Sequence, residues 1–109
     1  SETKLLKGLE IGCSGIITAT CNVTSELARE VYEAFQNGNE QKVNKKLCDV
    51  RGIFEKYNLI SALHTYFGKN NLSYQNLLPP LSILNSKEAE ELYFKLENLN
   101  FSTKVSLAA

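Results

Sequence analysis

Gly12-Cys13-Ser14-Gly15-Ile16-Ile17-Thr18-Ala19-Thr20-Cys21-Asn22 is the stretch whose reading decides the fold. Ile16, Ile17, Thr18 and Thr20 are β-branched, and glycines and Asn22 close the two ends, so a β-strand is expected over residues 15–20. A lone strand cannot satisfy its own backbone N–H and C=O groups. Every other element of the chain reads as helix or loop. The strand therefore pairs with another copy, or it belongs to a larger sheet or barrel. Ile16 and Ile17 fall on opposite faces of it, which is the pattern of a strand covered on both sides, and this favours the second option.

Working outward, Ser1 can cap a short helix whose apolar face is Leu5, Leu6 and Leu9, with Gly12 ending it. After the strand, Thr24 or Ser25 is expected to cap a second helix with Leu27, Val31, Ala34 and Phe35 as its buried stripe and Gly38 as its left-handed stop. Asn39 is expected to cap a third. There Val43, Leu47, Val50, Phe54 and Tyr57 recur at spacings of four and three, and the pattern resumes at Ile60, Leu63 and Phe67 after a break near Asn58. Residues 69–85 read as an extended loop packed down by leucines. A last helix opens at Asn85 or Ser86, with Glu88 completing a capping-box-like pair and Ala89, Leu92, Leu96 and Leu99 facing inward. From Ser102 a frayed tail is expected.

Composition narrows the function classes. The 109 residues carry 12 basic and 12 acidic side chains, a balance that argues against a nucleic-acid or anionic-membrane surface. No apolar run approaches the roughly 20 residues needed to cross a bilayer and no signal-peptide pattern opens the chain, so the expected location is cytoplasmic. Methionine is absent, which sets the expectation that Ser1 follows a cleavage or an imposed boundary. Cys13, Cys21 and Cys48 share no metal-ligand spacing, and three buried thiols are the plainest reading. No phosphate-binding glycine loop, metal cluster or Ser-His-Asp order is present. His64 is the single histidine and reads as structural. Arg51 and Glu55 are spaced i, i+4 and read as a solvated pair of small energetic weight. At the strand's end Thr18 and Thr20 would point one way and Ile17 and Ala19 the other. The two hydroxyls could bind a polar substrate, or they could simply end the strand.

The run Gly12 to Val23, followed by a helix ending Phe35-Gln36-Asn37-Gly38-Asn39, resembles the eighth strand and helix of the dihydrodipicolinate synthase/N-acetylneuraminate lyase family, whose members carry G-x-x-G-x-I-S-x-x-x-N there. Tyr57 to Gly68, Leu72-Ser73-Tyr74 and Pro79-Pro80-Leu81 are similar to that family's C-terminal helical extension, with spacing nearest the 2-keto-3-deoxygluconate aldolase branch. The resemblance spans residues 1 to about 100. It implies an α/β fold, the C-terminal portion of a (β/α)8 TIM barrel plus a helical extension, this segment itself being mostly α. Residues 1–38 would be the last helix–strand–helix of the barrel, 39–100 the extension and 101–109 a tail.

The function so implied is that of a lyase: a class I aldolase in which a lysine forms a Schiff base with pyruvate or a related 2-keto acid. That lysine and the proton-transferring tyrosine belong to earlier strands. None of Lys4, Lys7, Lys42 or Lys45 matches the lysine's position, so no catalytic residue is expected in this segment, and the segment alone should be inert. No metal and no cofactor are implied. By position Ile17, Thr18, Ala19 and Thr20 match the rim of the keto-acid pocket, and Asn22 matches an asparagine that orders the strand–helix turn. Thr18 stands where Ser is usual, Thr24 where Pro often follows and Ser61 where many members have Lys. The implied partners are the rest of the barrel and further copies, as a dimer or tetramer. Two rival readings remain: a stand-alone helical homo-oligomeric interaction module whose strand pairs across a dimer, and an enzyme acting through His64 or a thiol.

Overall fold

The computed structural model describes residues 1–103, and the final residues, 104–109, lie outside the described part. Five α-helices form among the described residues: α1 (Leu5–Glu10), α2 (Cys21–Gln36), α3 (Asn44–Glu55), α4 (Leu59–Gly68) and α5 (Ser86–Asn98). Short 3-10 turns at Glu2–Lys4 and Leu72–Gln75 precede α1 and follow α4.

α3 is the hub. Its stripe is split between two apolar clusters, because successive buried residues on a helix turn by roughly 100° and so reach different neighbours. Leu47 joins Leu5 and Leu9 of α1 and Ala28 and Val31 of α2. Val50 and Phe54 join Val23 of α2, Ala62 and Leu63 of α4, Leu92 and Leu96 of α5, and Phe101. The Phe54 and Tyr66 rings meet edge to face, 5.8 Å apart.

The punctuation between elements follows its residues. Gly12 (φ 100°) and Gly38 (φ 67°) occupy left-handed backbone at the ends of α1 and α2, and the Asn39 amide turns back to the Ala34 carbonyl at 2.8 Å. Asn58 breaks α3 from α4 and accepts a bond from the Ser61 amide (3.1 Å). Asn85 caps α5 by accepting from the Glu88 amide (2.8 Å). At Gly68 a Cβ would lie 2.8 Å from Cγ of Gln75, whose Nε2 donates to the Gly68 carbonyl at 3.1 Å, so only glycine fits that crossing without a shift.

Several expectations are corrected. No β-ladder forms among the described residues: residues 13–18 are irregular, residues 19–20 form a turn, and the strand expected over residues 15–20 has no neighbour to pair with. α2 opens at Cys21 rather than at Thr24 or Ser25, because the turn at residues 18–20 winds straight into it through bonds from Cys21 N–H to the Thr18 carbonyl (3.3 Å) and from Val23 N–H to the Thr20 carbonyl (2.9 Å). α3 opens at Asn44 rather than at Asn39, because the preceding link folds onto α2, Gln41 Nε2 donating to the Val31 carbonyl (3.1 Å). The loop leucines divide: Leu72 and Leu78 are exposed, whereas Leu77, Leu81 and Leu84 are half-buried.

The chain after α5 is docked, not frayed at Ser102. Asn100 adopts φ 52°, Phe101 is buried, and the Thr103 hydroxyl donates to the Val23 carbonyl (3.1 Å). The remainder of the expected tail lies outside the described residues.

Phe54→Ala is expected to lower unfolding free energy by about 3–5 kcal/mol, since the ring is fully buried at the α3–α4–α5 junction. Leu78→Ala, at an exposed position, should stay within about 0.5 kcal/mol. Urea denaturation of the two variants beside the parent measures both. Equal losses would contradict this packing.

Candidate functional site

The segment between α1 and α2 is held on one side only. That side rests on Glu2, which is wholly buried although it carries a carboxylate. Glu2 is in phase with Leu5 and Leu9, three and seven residues further on, so the face that buries those leucines buries it too. Its Oε1 accepts from the Thr18 hydroxyl at 2.7 Å and its Oε2 from the Thr24 hydroxyl at 2.8 Å. Its cationic partner is Arg51 of α3, whose side chain is 14% exposed and whose Nη1 lies 3.5 Å from Oε1.

Arg51 is the junction of the cluster. Its Nη1 donates to the Thr18 hydroxyl at 3.1 Å and to the Thr20 hydroxyl, while its Nε donates to Glu55 Oε1 at 2.9 Å. A guanidinium offers several donors in fixed directions, and here they are divided between a buried carboxylate, two hydroxyls and an exposed carboxylate. The Arg51–Glu55 pair exists as the spacing predicts. The expectation that it is a solvated pair is corrected, because its arginine end lies inside the molecule.

The sequence-predicted rim residues fall on two sides of the segment. Thr18 and Thr20 share the inner side and their hydroxyls are engaged by Glu2 and Arg51. Ile17 is fully exposed and Ala19 is exposed, on the outer side. Ile16 is half-buried against the α1–α2 cluster. Asn22 bonds the Ala19 carbonyl through Nδ2 at 2.8 Å, closing the turn from which α2 starts. Between Ser14 and Thr20 no backbone N–H meets an acceptor among the described residues.

Cysteine burial is corrected: Cys13 is exposed, Cys21 and Cys48 are half-buried, and all three are free thiols. Burial, reinforced by the Glu2 carboxylate and opposed by the Thr24 hydroxyl bond, pushes the Cys21 thiol up from its ordinary value. Burial, with Asp49 nearby, does the same for Cys48. His64 is half-buried and its Nδ1 lies 2.7 Å from the Tyr74 carbonyl, a bond that joins α4 to the following 3-10 turn. No group of three or more His, Cys, Asp or Glu side chains among the described residues could hold a metal ion. No helix among them is long and apolar enough to cross a membrane.

Residues 1–99 match the dihydrodipicolinate synthetase family. The chain belongs to that family. Among curated relatives, uncharacterised DapA-like lyases of Halobacterium salinarum strains R1 and NRC-1 are each 26% identical over 102 residues, covering 91% of this chain and 34% of the relative. The chain thus spans about a third of the length of the curated relatives it matches. No solved structure gives a significant match. Within this family member, Glu2 is the residue that sequence reasoning passed over, and Arg51 the one that it assigned to Glu55 alone. Arg51 sits four residues after Leu47 and three before Phe54, on the edge of the buried stripe, and that phase is the signal that could have found it.

Two outcomes are expected. Arg51→Met leaves the Glu2 carboxylate buried without its cation and should cost about 3–5 kcal/mol in urea unfolding, while adding Glu2→Gln should restore part of that loss. Losses of Arg51→Met and Glu2→Gln that simply add in the double variant would show that the two side chains do not interact. Secondly, a raised pKa leaves a thiol protonated at neutral pH, and the thiolate is the nucleophile. Cys21 and Cys48 should therefore alkylate more slowly than Cys13 at pH 7, gaining on it as pH rises, as read by peptide mass mapping.

Proposed function

We propose that this chain is the C-terminal portion of a class I, pyruvate-dependent lyase. Residues 1–38 would supply the last helix, strand and helix of a (β/α)8 barrel, and residues 39–100 its helical extension. One observation carries the reading. In a member of the dihydrodipicolinate synthetase family, the segment at residues 14–20 has backbone donors without partners and an Ile17 side chain without cover. A barrel strand flanked by two others has its N–H and C=O groups satisfied and both faces buried.

In this reading the amine of a lysine upstream of Ser1 attacks the carbonyl of pyruvate or a related 2-keto acid, and water leaves. The iminium so formed draws electrons from the adjacent carbon, so that a carbon–carbon bond there can form or break. This chain's part is to shape the pocket. Residues at the C-terminal end of a barrel strand form the rim of the reacting centre. In the rim Ile17, Thr18, Ala19 and Thr20, the side chains free to face the substrate are Ile17 and Ala19, with Thr18 and Thr20 held behind them and Asn22 fixing the turn through its bond to Ala19. The reading places the protein in the cytoplasm, as a homo-oligomer without a metal or cofactor.

The exposed Ile11 and Ile17 also fit a second reading, in which two copies of a helical module cover these side chains mutually. Each such residue forfeits roughly 1.5–3 kcal/mol if left in water, so either reading expects a cover. The histidine reading gains nothing from a ring bonded to a backbone carbonyl beside Tyr74.

Borohydride reduction in the presence of pyruvate tests the proposal. The longer protein should gain one pyruvate-derived adduct on a lysine upstream of Ser1, the separate 109-residue chain should gain none, and His64→Ala in the longer protein should trap within about twofold of the parent. No adduct on the longer protein, or an adduct on one of this chain's own lysines, would overturn it. A separate chain that forms a stable, cooperatively melting dimer by sedimentation and calorimetry would favour the helical module.

A further inference from the structure

The buried Glu2–Arg51 pair does more than neutralise two charges. Four hydrogen bonds join the pair to threonines, three in the polypeptide between α1 and α2 and one in the first turn of α2. Thr18 and Thr24 donate to the carboxylate, and Thr18 and Thr20 accept from the guanidinium. Thr18 is used twice, as donor to Glu2 and acceptor from Arg51, so its hydroxyl has a single orientation. The residues between and beside these threonines, Ala19 and Ile17, make no comparable attachment and face outward. Where Ile17 and Ala19 stand is therefore set from behind, by a guanidinium that belongs to α3 and reaches across from the helical extension.

We infer that Arg51 and Glu2 are positioning residues for the lyase: through the hydroxyls of Thr18 and Thr20 they fix the Ile17–Thr20 segment as the wall against which the keto acid binds. The inference rests on the reading of that segment as the pocket rim and goes beyond it by naming what holds the rim in place. Neither residue touches substrate. The helical extension thereby has a task in the reaction, since α3 carries the arginine and has no other polar link to the segment. Substrate specificity is set on the outer side of the strand end, and the precision of that wall is set on its inner side. Displacing a binding group by about 1 Å is enough to cost up to about a hundredfold in rate, so a wall released from its ties is expected to be felt in catalysis.

The test uses the longer protein carrying Arg51→Gln, Arg51→Lys and Thr20→Val. The last variant removes one tie and leaves the ion pair intact, so that it folds even if Arg51→Gln does not. Two readouts are taken on each. Alkylation of Cys21, which follows Thr20 directly, reports whether the turn has loosened, and the KM for pyruvate, with active lysines counted by borohydride trapping, reports whether the wall has moved. For Arg51→Gln and Thr20→Val, Cys21 should alkylate about threefold or more faster. KM should rise about tenfold or more, with the number of trapped lysines per chain unchanged. Arg51→Lys should recover part of both, because an ammonium can still reach Glu2 and a threonine.

Unchanged Cys21 alkylation in all three variants would overturn the inference by showing that the ties do not hold the turn. Faster alkylation with an unchanged KM would overturn it too, leaving the pair a purely structural one. The parent protein supplies the separate control: if it traps no pyruvate, the lyase reading itself fails, and the positioning role falls with it.

Discussion

Backbone donors and acceptors that leave water must be matched, and in the segment between α1 and α2 the amides of residues 14–20 meet no acceptor among the described residues. The helices of the chain satisfy their own ladders. The amides of residues 14–20 do not, because residues 13–18 form no helix or ladder and the helices beside them reach the segment through side chains. The proposed strand accords with the β-branched residues of the segment, the left-handed glycine before it and the helix that starts at once after it, although residues 19–20 already form a turn.

The attachment on the one side is electrostatic as much as apolar. A carboxylate taken fully out of water is tolerated only with a cation and hydrogen-bond donors around it, and Glu2 has Arg51 and two threonine hydroxyls. The arginine comes from the helix whose stripe joins both apolar clusters. α3 therefore couples the packing of the helical part to the shape of the segment. A disturbance of that packing has a direct route to Ile17 and Ala19 through one guanidinium.

Much of this was legible in the residues, and what was not has physical causes. Gly12, Gly38, Asn58 and Asn85 announced helix ends because their left-handed backbone or capping oxygens are local chemistry. The α3 and α5 stripes were legible because period 3.6 is a strong signal, and Leu47, Val50, Phe54, Leu92 and Leu96 are all buried. Helix starts were misplaced where tertiary partners competed for the capping groups. Thr24 could have capped α2, yet its hydroxyl is drawn to Glu2, and Gln41 is drawn onto the end of α2 in place of an α3 that began at Asn39. The polar cluster was missed because Arg51 was matched to its neighbour in sequence, Glu55, and not to a residue 49 positions away. Its phase with Leu47 and Phe54, and that of Glu2 with Leu5 and Leu9, were the available clues. Two opposite charges, each on a buried face, imply one another. The strand was read from composition, whereas residues 13–18 are irregular and meet no ladder partner among the described residues.

The most direct measurement is amide hydrogen exchange of residues 14–18 in the longer protein and in the separate 109-residue chain. A strand flanked by neighbours in a closed barrel should exchange at least about a hundredfold more slowly in the longer protein, because its N–H groups are then bonded and shielded. Equal, fast exchange in both would show that the segment never finds partners, and the account of it as a barrel strand would be contradicted.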